Sequence, residues 1–377
     1  MITDSYENEM EESSVEFGDQ EYTDKSTDYG IPNEERKLQT QAYDKAVSDL
    51  VEGVRTKEII IDPDYQRNYI WDDKRASLLV ESIVMNVPIP VIYVAEDEDG
   101  KWVVVDGLQR LESLRRFFDN EFKLKGLEIL DELSGEQYSN LNPKARRILR
   151  NGLLRVIVIK YESHPDIKYD IFQRLNRGSI RLNEQELRNC MYRGSFLTLL
   201  KELRENEQYL HSLGLKKPDK RFIDAELILR FFALSSSYSP EKGKIHNYTK
   251  MKNFLNHYAE KNQHLNDLVL REKRELFLTT VEKVVSVFPG PSFRRIINGG
   301  KEADKYRLNR ALMDAIMLTF SRYDEDFITH NKESIIRINI NLTNDTEYCD
   351  ALVMGTSDTK RIEYRLNVWE REFRNLS

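Results

Sequence analysis

Asp106-Gly107-Leu108-Gln109-Arg110 gathers a carboxylate, a glycine, an amide and a guanidinium within one short segment, directly after the apolar run Trp102-Val103-Val104-Val105. A strand that turns into a helix at such a point presents first-turn amides and the positive end of the helix dipole, and both favour an anion. Gly107 lets backbone approach a ligand, and Arg110 can grip phosphate oxygens with its fork of donors. Asp106 is suited to hold a divalent cation such as Mg²⁺ or to orient a water. The spacing has a second reading, because Asp106 followed three residues later by Gln109 also fits a capping-box-like arrangement that needs no ligand. Two further polar clusters extend the phosphate reading. Tyr65-Gln66-Arg67-Asn68-Tyr69-Ile70-Trp71 offers Gln66 and Arg67, and Phe172-Gln173-Arg174-Leu175-Asn176-Arg177-Gly178 offers Arg174, Asn176 and Arg177. The alternative is that Arg67 faces water while its aromatic neighbours pack down, and that Asn176 and Gly178 end a helix.

The elements that must position these residues follow from periodicity. Ile59-Ile60-Ile61 reads as a strand that ends by Pro63. Asp72-Asp73 precede a helix with Leu78, Leu79, Ser82, Ile83 and Met85 on one face, stopped by Pro88 and Pro90. Val91-Ile92-Tyr93-Val94 and Trp102-Val103-Val104-Val105 flank an acidic turn from Glu96 to Gly100, which predicts a hairpin. The helix after Gly107 has Leu111, Leu114, Phe117 and Phe118 as its core face. A strand over residues 153–161 then leads into a helix carrying Ile167, Ile171, Phe172 and Leu175. Beyond residue 196 helical spacing dominates, as in Leu227-Ile228 with Phe231-Phe232, Phe277 with Val281, Val284 and Val285, and Leu312 with Ile316 and Phe320. Residues 336–342 alternate like a strand or end a helix, and both readings stand.

In order and type these segments resemble the N-terminal family of GmrSD restriction endonucleases. The resemblance rests on P-x-Y-Q-R-x-Y-x-W from Pro63 to Trp71, on Val87-Pro88-Ile89-Pro90, on the D-G-Q-Q-R segment matched by Asp106 to Arg110, and on F-x-x-L-N at Phe172 to Asn176 with the leucine-starting stretch from Leu182 to Leu187. It covers roughly residues 40–195. It implies an α+β fold, ParB/sulfiredoxin-like, in which the D-G-x-Q-R segment helps bind and hydrolyse a nucleoside triphosphate in the service of DNA restriction. The family's first glutamine is Leu108 here. The family also commonly carries a C-terminal H-N-H nuclease, whereas the nearest approach here is His246-Asn247, so cutting by that chemistry is not expected and a separate nuclease or effector partner is. Asn298-Gly299-Gly300-Lys301 is not a P-loop, because Arg295 and Glu302 stand where a glycine and a hydroxyl residue are needed.

Composition bounds the remaining classes. The net charge of -7 is concentrated at the amino terminus, where residues 1–37 carry 12 acidic and 3 basic side chains and leave 54 basic against 52 acidic in the rest. Residues 1–39 therefore read as an acidic disordered tail, residues 40–195 as the GmrSD-like domain, and residues 196–377 as a mainly α-helical domain. A DNA-binding module without catalysis is a second reading, from Lys144-Ala145-Arg146-Arg147, Arg174 to Arg181, and Lys216-Lys217 with Lys220-Arg221. A metal-dependent DNA nuclease built on Asp106 is a third, although no second carboxylate is placed by sequence. Cys190 and Cys349 are expected as buried thiols, and neither they nor the scattered histidines form a metal pattern. No apolar run suits a membrane and no leader is seen, so a cytoplasmic, soluble chain is expected.

Overall fold

Short β-branched runs in the first half of the chain pair into one mixed sheet, which two layers of helices cover. The computed structural model describes residues 38–61, 69, 71–175, 182–297, 302–303 and 308–376. The protein is α+β and divides between Met191 and Tyr192 into two compact units.

The first unit contains β1 (Thr40–Ala46), α1 (Val47–Arg55), β2 (Ile59–Ile60), α2 (Asp73–Val84), β3 (Ile92–Glu96), β4 (Trp102–Asp106), α3 (Leu108–Phe118), α4 (Pro143–Asn151), β5 (Leu153–Ile159), α5 (Pro165–Leu175) and α6 (Glu184–Met191). The strand order is β1-β5-β3-β4-β2. β3 runs parallel to β5 and β2 parallel to β4, while β1–β5 and β3–β4 are antiparallel. Because successive side chains on a strand point to opposite faces, the sheet serves two cores. Ile92, Val94, Val104, Val156 and Val158 meet α1 to α4 on one face, while Val105 and Ile159 meet Tyr169, Phe172 and Leu187 on the other.

The predicted hairpin is β3–β4, and the predicted core face of α3 is buried at Leu111, Leu114, Phe117 and Phe118. The face of α2 differs from expectation. Its buried stripe is Ala76, Leu79, Val80 and Ile83, while Met85 lies past the last turn and is exposed. Asp72 starts that helix by accepting the Arg75 N–H at 2.8 Å. β1 and α1 were not foreseen, because Thr40–Ala46 carries little apolar alternation as an exposed edge strand. Residues 1–37 lie outside the described residues, whereas Gln39 already belongs to the fold through its N–H bond to Ser163 Oγ at 3.0 Å.

The second unit holds α7 (Ser195–Leu203), α8 (Glu207–Leu213), α9 (Ile223–Ser237), α10 (Met251–Lys261), α11 (Asp267–Val287), α12 (Arg310–Phe320), α13 (Glu325–His330), α14 (Lys332–Asn344), α15 (Thr346–Val353) and α16 (Thr359–Arg374). It also holds two short ribbons, β6 (Tyr238–Ser239) with β7 (Lys244–Ile245) and β8 (Ile296–Ile297) with β9 (Glu302–Ala303). α12 is its axis, buried on every side from Ala311 to Phe320. The ambiguous residues 336–342 are helical and belong to α14, whose buried stripe of Ile335, Asn339 and Thr343 is polar at two of its three positions and therefore a weak periodic signal. Cys190 is buried, but Cys349 is only half-buried, with Arg295 Nη1 at 3.2 Å from its sulfur. No helix among the described residues is long and apolar enough to cross a membrane.

One polar contact fixes the long connection after α3. The buried Glu81 carboxylate on α2 accepts the backbone N–H groups of Glu128, Ile129 and Leu130 at 2.8–3.1 Å. Burial alone would raise its pKa, but the three amides outweigh that and hold it below the ordinary value. A depressed carboxylate stabilises the fold at a pH above its unfolded value and loses that contribution as pH falls through the folded one. Glu81→Gln is expected to cost about 2 kcal/mol at neutral pH, as for a buried charge-assisted bond, and to close the gap to wild type well below about pH 4. Urea unfolding of both proteins across that range is the measurement.

Candidate functional site

β4 ends at Asp106, and the chain enters α3 through Gly107 at φ +106 and ψ 8. That conformation strains any residue with a side chain, and a Cβ here would also lie 3.0 and 3.2 Å from the Ile92 side chain and 3.3 Å from Arg110 Nη2. Gly107 is itself the N-cap and α3 has no side-chain cap. The capping-box reading of Asp106 and Gln109 is therefore not realised, and both side chains are used otherwise.

Asp106 Oδ2 accepts from Arg110 Nη2 at 2.8 Å, one helical turn away. Arg110 Nη1 also donates to the carbonyl of Pro90, and both terminal nitrogens lie 3.3 Å from the carbonyl of Val91. The Arg110 side chain is 11% exposed and that of Asp106 42%. Burial lowers the guanidinium pKa and Asp106 opposes the shift. The fork of Arg110 is thus committed within the protein, where it ties the start of β3 to the β4–α3 turn and orients one carboxylate.

Gln109 Oε1 accepts the N–H of Trp71 at 3.1 Å. One turn on, Ser113 Oγ lies 2.9 Å from Tyr69 OH, and the Arg116 guanidinium sits 4.6 Å from the Tyr69 ring centroid. Two of the three polar clusters therefore meet along α3. Gln66 and Arg67 lie outside the described residues, as do Asn176 and Arg177. Arg174 is exposed and paired with Asp170 at 3.7 Å. It sits on α5, which packs through Phe172 beside Val105 on the face of the sheet opposite α3.

Residues 47–193 match the family described as the GmrSD restriction endonuclease, N-terminal domain. The first unit carries a GmrSD N-terminal domain. The match indicates a component of a restriction or phage-defence system. No curated protein and no solved structure matches the chain. The matched region opens at the start of α1, so the edge strand β1 lies before it although β1 pairs with β5 from Thr40 to Ala46.

Within this GmrSD domain the Leu108 side chain packs, partly buried, on the main core. Among the described residues no group of three or more His, Cys, Asp or Glu side chains is placed to hold a metal ion. A Mg²⁺ ion at Asp106 would take one protein carboxylate and fill its remaining positions with phosphate oxygens and water, an ordinary donor set for that ion. Sequence reasoning missed the Asp106–Arg110 pair, which its spacing of four could have shown. It also missed the reciprocal cap of α6, where Glu186 N–H bonds Asn183 Oδ1 at 2.8 Å and Asn183 N–H bonds Glu186 Oε2 at 2.6 Å. The Trp71–Gln109 bond had no local signal.

Gly107→Ala combines backbone strain with a clash, whereas Gly100→Ala, at φ +78 with nothing within 4 Å, carries strain alone. Denaturant unfolding is expected to show a loss of about 1 kcal/mol for Gly100→Ala and about 2–4 kcal/mol for Gly107→Ala. Equal losses would mean that the Ile92 contact exerts no constraint.

Proposed function

We propose that the GmrSD domain binds a nucleoside triphosphate with Mg²⁺ at the β4–α3 turn and acts as the nucleotide-dependent regulatory component of its restriction or phage-defence system. The observation that carries this reading is the state of Asp106. One oxygen is held by the largely buried Arg110, while Oδ1 has no hydrogen-bond partner among the described residues and the side chain remains accessible.

In this reading the start of α3 meets phosphate oxygens with its amides and dipole, over a glycine floor that admits close approach. Asp106 Oδ1 takes Mg²⁺ or orients a water, and Mg²⁺ when bound neutralises phosphate charge. Arg110 is a positioning residue that fixes Asp106. Gln109 secures the end of the segment that contains Gln66 and Arg67, the groups assigned to the phosphates from that side. Arg174, Asn176 and Arg177 are proposed as further nucleotide ligands on their sequence pattern alone. DNA cleavage is assigned to a separate nuclease or effector protein.

Calorimetry with ATP, GTP, UTP and CTP in the presence of Mg²⁺, together with phosphate release, tests the assignment. Wild type is expected to bind at least one of the four. Asp106→Asn is expected to weaken that binding at least tenfold, about 1.4 kcal/mol, with Mg²⁺ and far less without it. Arg110→Lys, checked for an intact melting transition, is expected to weaken binding in both conditions. Failure of wild type to bind any of the four overturns the proposal, and phosphate release separates a switch from a hydrolase.

A further inference from the structure

Between Glu136 and Glu162 the chain has no Asp or Glu, yet it carries Lys144, Arg146, Arg147, Arg150, Arg155 and Lys160. Three of these cations are used inside the fold. Arg155 pairs with Asp44, Lys160 with Glu96, and Arg146 donates to the carbonyls of Ser139 and Leu141 while lying over the Tyr138 ring. Lys144, Arg147 and Arg150 are exposed on α4, and their side chains have no hydrogen bond, ion pair or ring contact among the described residues. Every other described arginine of this unit is engaged, by a carboxylate as in Arg55 with Asp119 and Arg116 with Asp73, by carbonyls as in Arg146, or by a ring as in Arg75 over Trp71.

We infer that this face of α4 is a docking surface for the phosphate backbone of duplex DNA, read without base specificity. The inference rests on the restriction-system reading of the domain and does not depend on nucleotide binding. From Lys144 to Arg150 the helix rises about 9 Å. One strand of a duplex advances about 3.4 Å per nucleotide, so the rise equals two to three nucleotide steps and the row can meet three successive phosphates. The two arginines suit phosphate oxygens because their planar forks donate in pairs. An anionic lipid surface fits less well, since the apolar residues Ala145 and Leu149 face the core and leave α4 no apolar side to insert.

The test measures binding of a random-sequence duplex of about 30 base pairs to the full chain between about 50 and 200 mM salt. Three phosphate contacts contribute about 2.7 to the slope of log affinity against log salt. Across that range wild type is therefore expected to lose about 40-fold more affinity than Lys144→Gln/Arg147→Gln/Arg150→Gln. Arg147→Lys/Arg150→Lys is expected to keep the wild-type slope. The three side chains have no partners in the fold, so the triple variant is expected to melt with wild type. An unchanged slope in the triple variant overturns the inference, as does absence of duplex binding by wild type. So does a loss confined to phosphatidylserine vesicles with duplex binding intact. Nucleotide calorimetry on the triple variant is expected to match wild type, which keeps failure of this inference distinct from failure of the nucleotide site.

Discussion

A guanidinium with little access to water must find acceptors for its donors, because an unpaired buried donor costs more than its bond returns. Arg110 meets that constraint with the carbonyls of Pro90 and Val91 and the carboxylate of Asp106. The carbonyls precede β3, the carboxylate ends β4, and the guanidinium itself stands on the first turn of α3. One side chain therefore links the entry to β3, the end of β4 and the first turn of α3. Gly107 is the matching requirement, since any Cβ there would press on Ile92 and on Arg110 itself. Asp106 is accessible and yet fixed only because Arg110 is not free to leave.

The same helix organises what stands beside it. Gln109, Ser113 and Arg116 are spaced by four and three, so they present one side of α3, and each takes a group from Tyr69 to Trp71. The opposite side of α3 is Leu111, Leu114, Phe117 and Phe118 in the core. A single amphipathic helix thereby joins packing to polar positioning. In the second unit the comparable device is a buried ion pair, Arg230 of α9 with Asp314 of α12 at 3.1 and 2.5 Å. Each partner satisfies the other away from water, and removing one would leave an unpaired buried charge between the two helices.

How much of this was legible in the sequence depended on whether the signal was local. The β3–β4 hairpin, the core face of α3 and the helical second half all rest on periodicity within a few residues, and they appear as read. The D-G-L-Q-R segment was legible as a strand-to-helix turn, but the use of its side chains was not. Asp106 and Gln109 fit a cap by spacing, and the left-handed Gly107 took the cap position instead. The bond from Gln109 to Trp71 joins residues far apart in the chain, which no spacing rule reaches. β1 escaped because an edge strand that faces water need not alternate, and α14 because two of the three residues in its buried stripe are polar.

β1 also bears on what counts as a unit of this protein. The stretch shared with the GmrSD family begins at Val47, while the sheet begins at Thr40. A fragment cut at the family boundary would uncover the whole outer side of β5, a Leu-Leu-Arg-Val-Ile-Val-Ile strand whose row of unpaired amides and carbonyls is a template for pairing with other chains. The native outer edge is Thr-Gln-Ala-Tyr-Asp-Lys-Ala, short of large aliphatic groups and charged near its end. The seven residues before the family boundary thus cover β5 with a polar margin, and a fragment that began at Val47 would lack one strand of its own sheet.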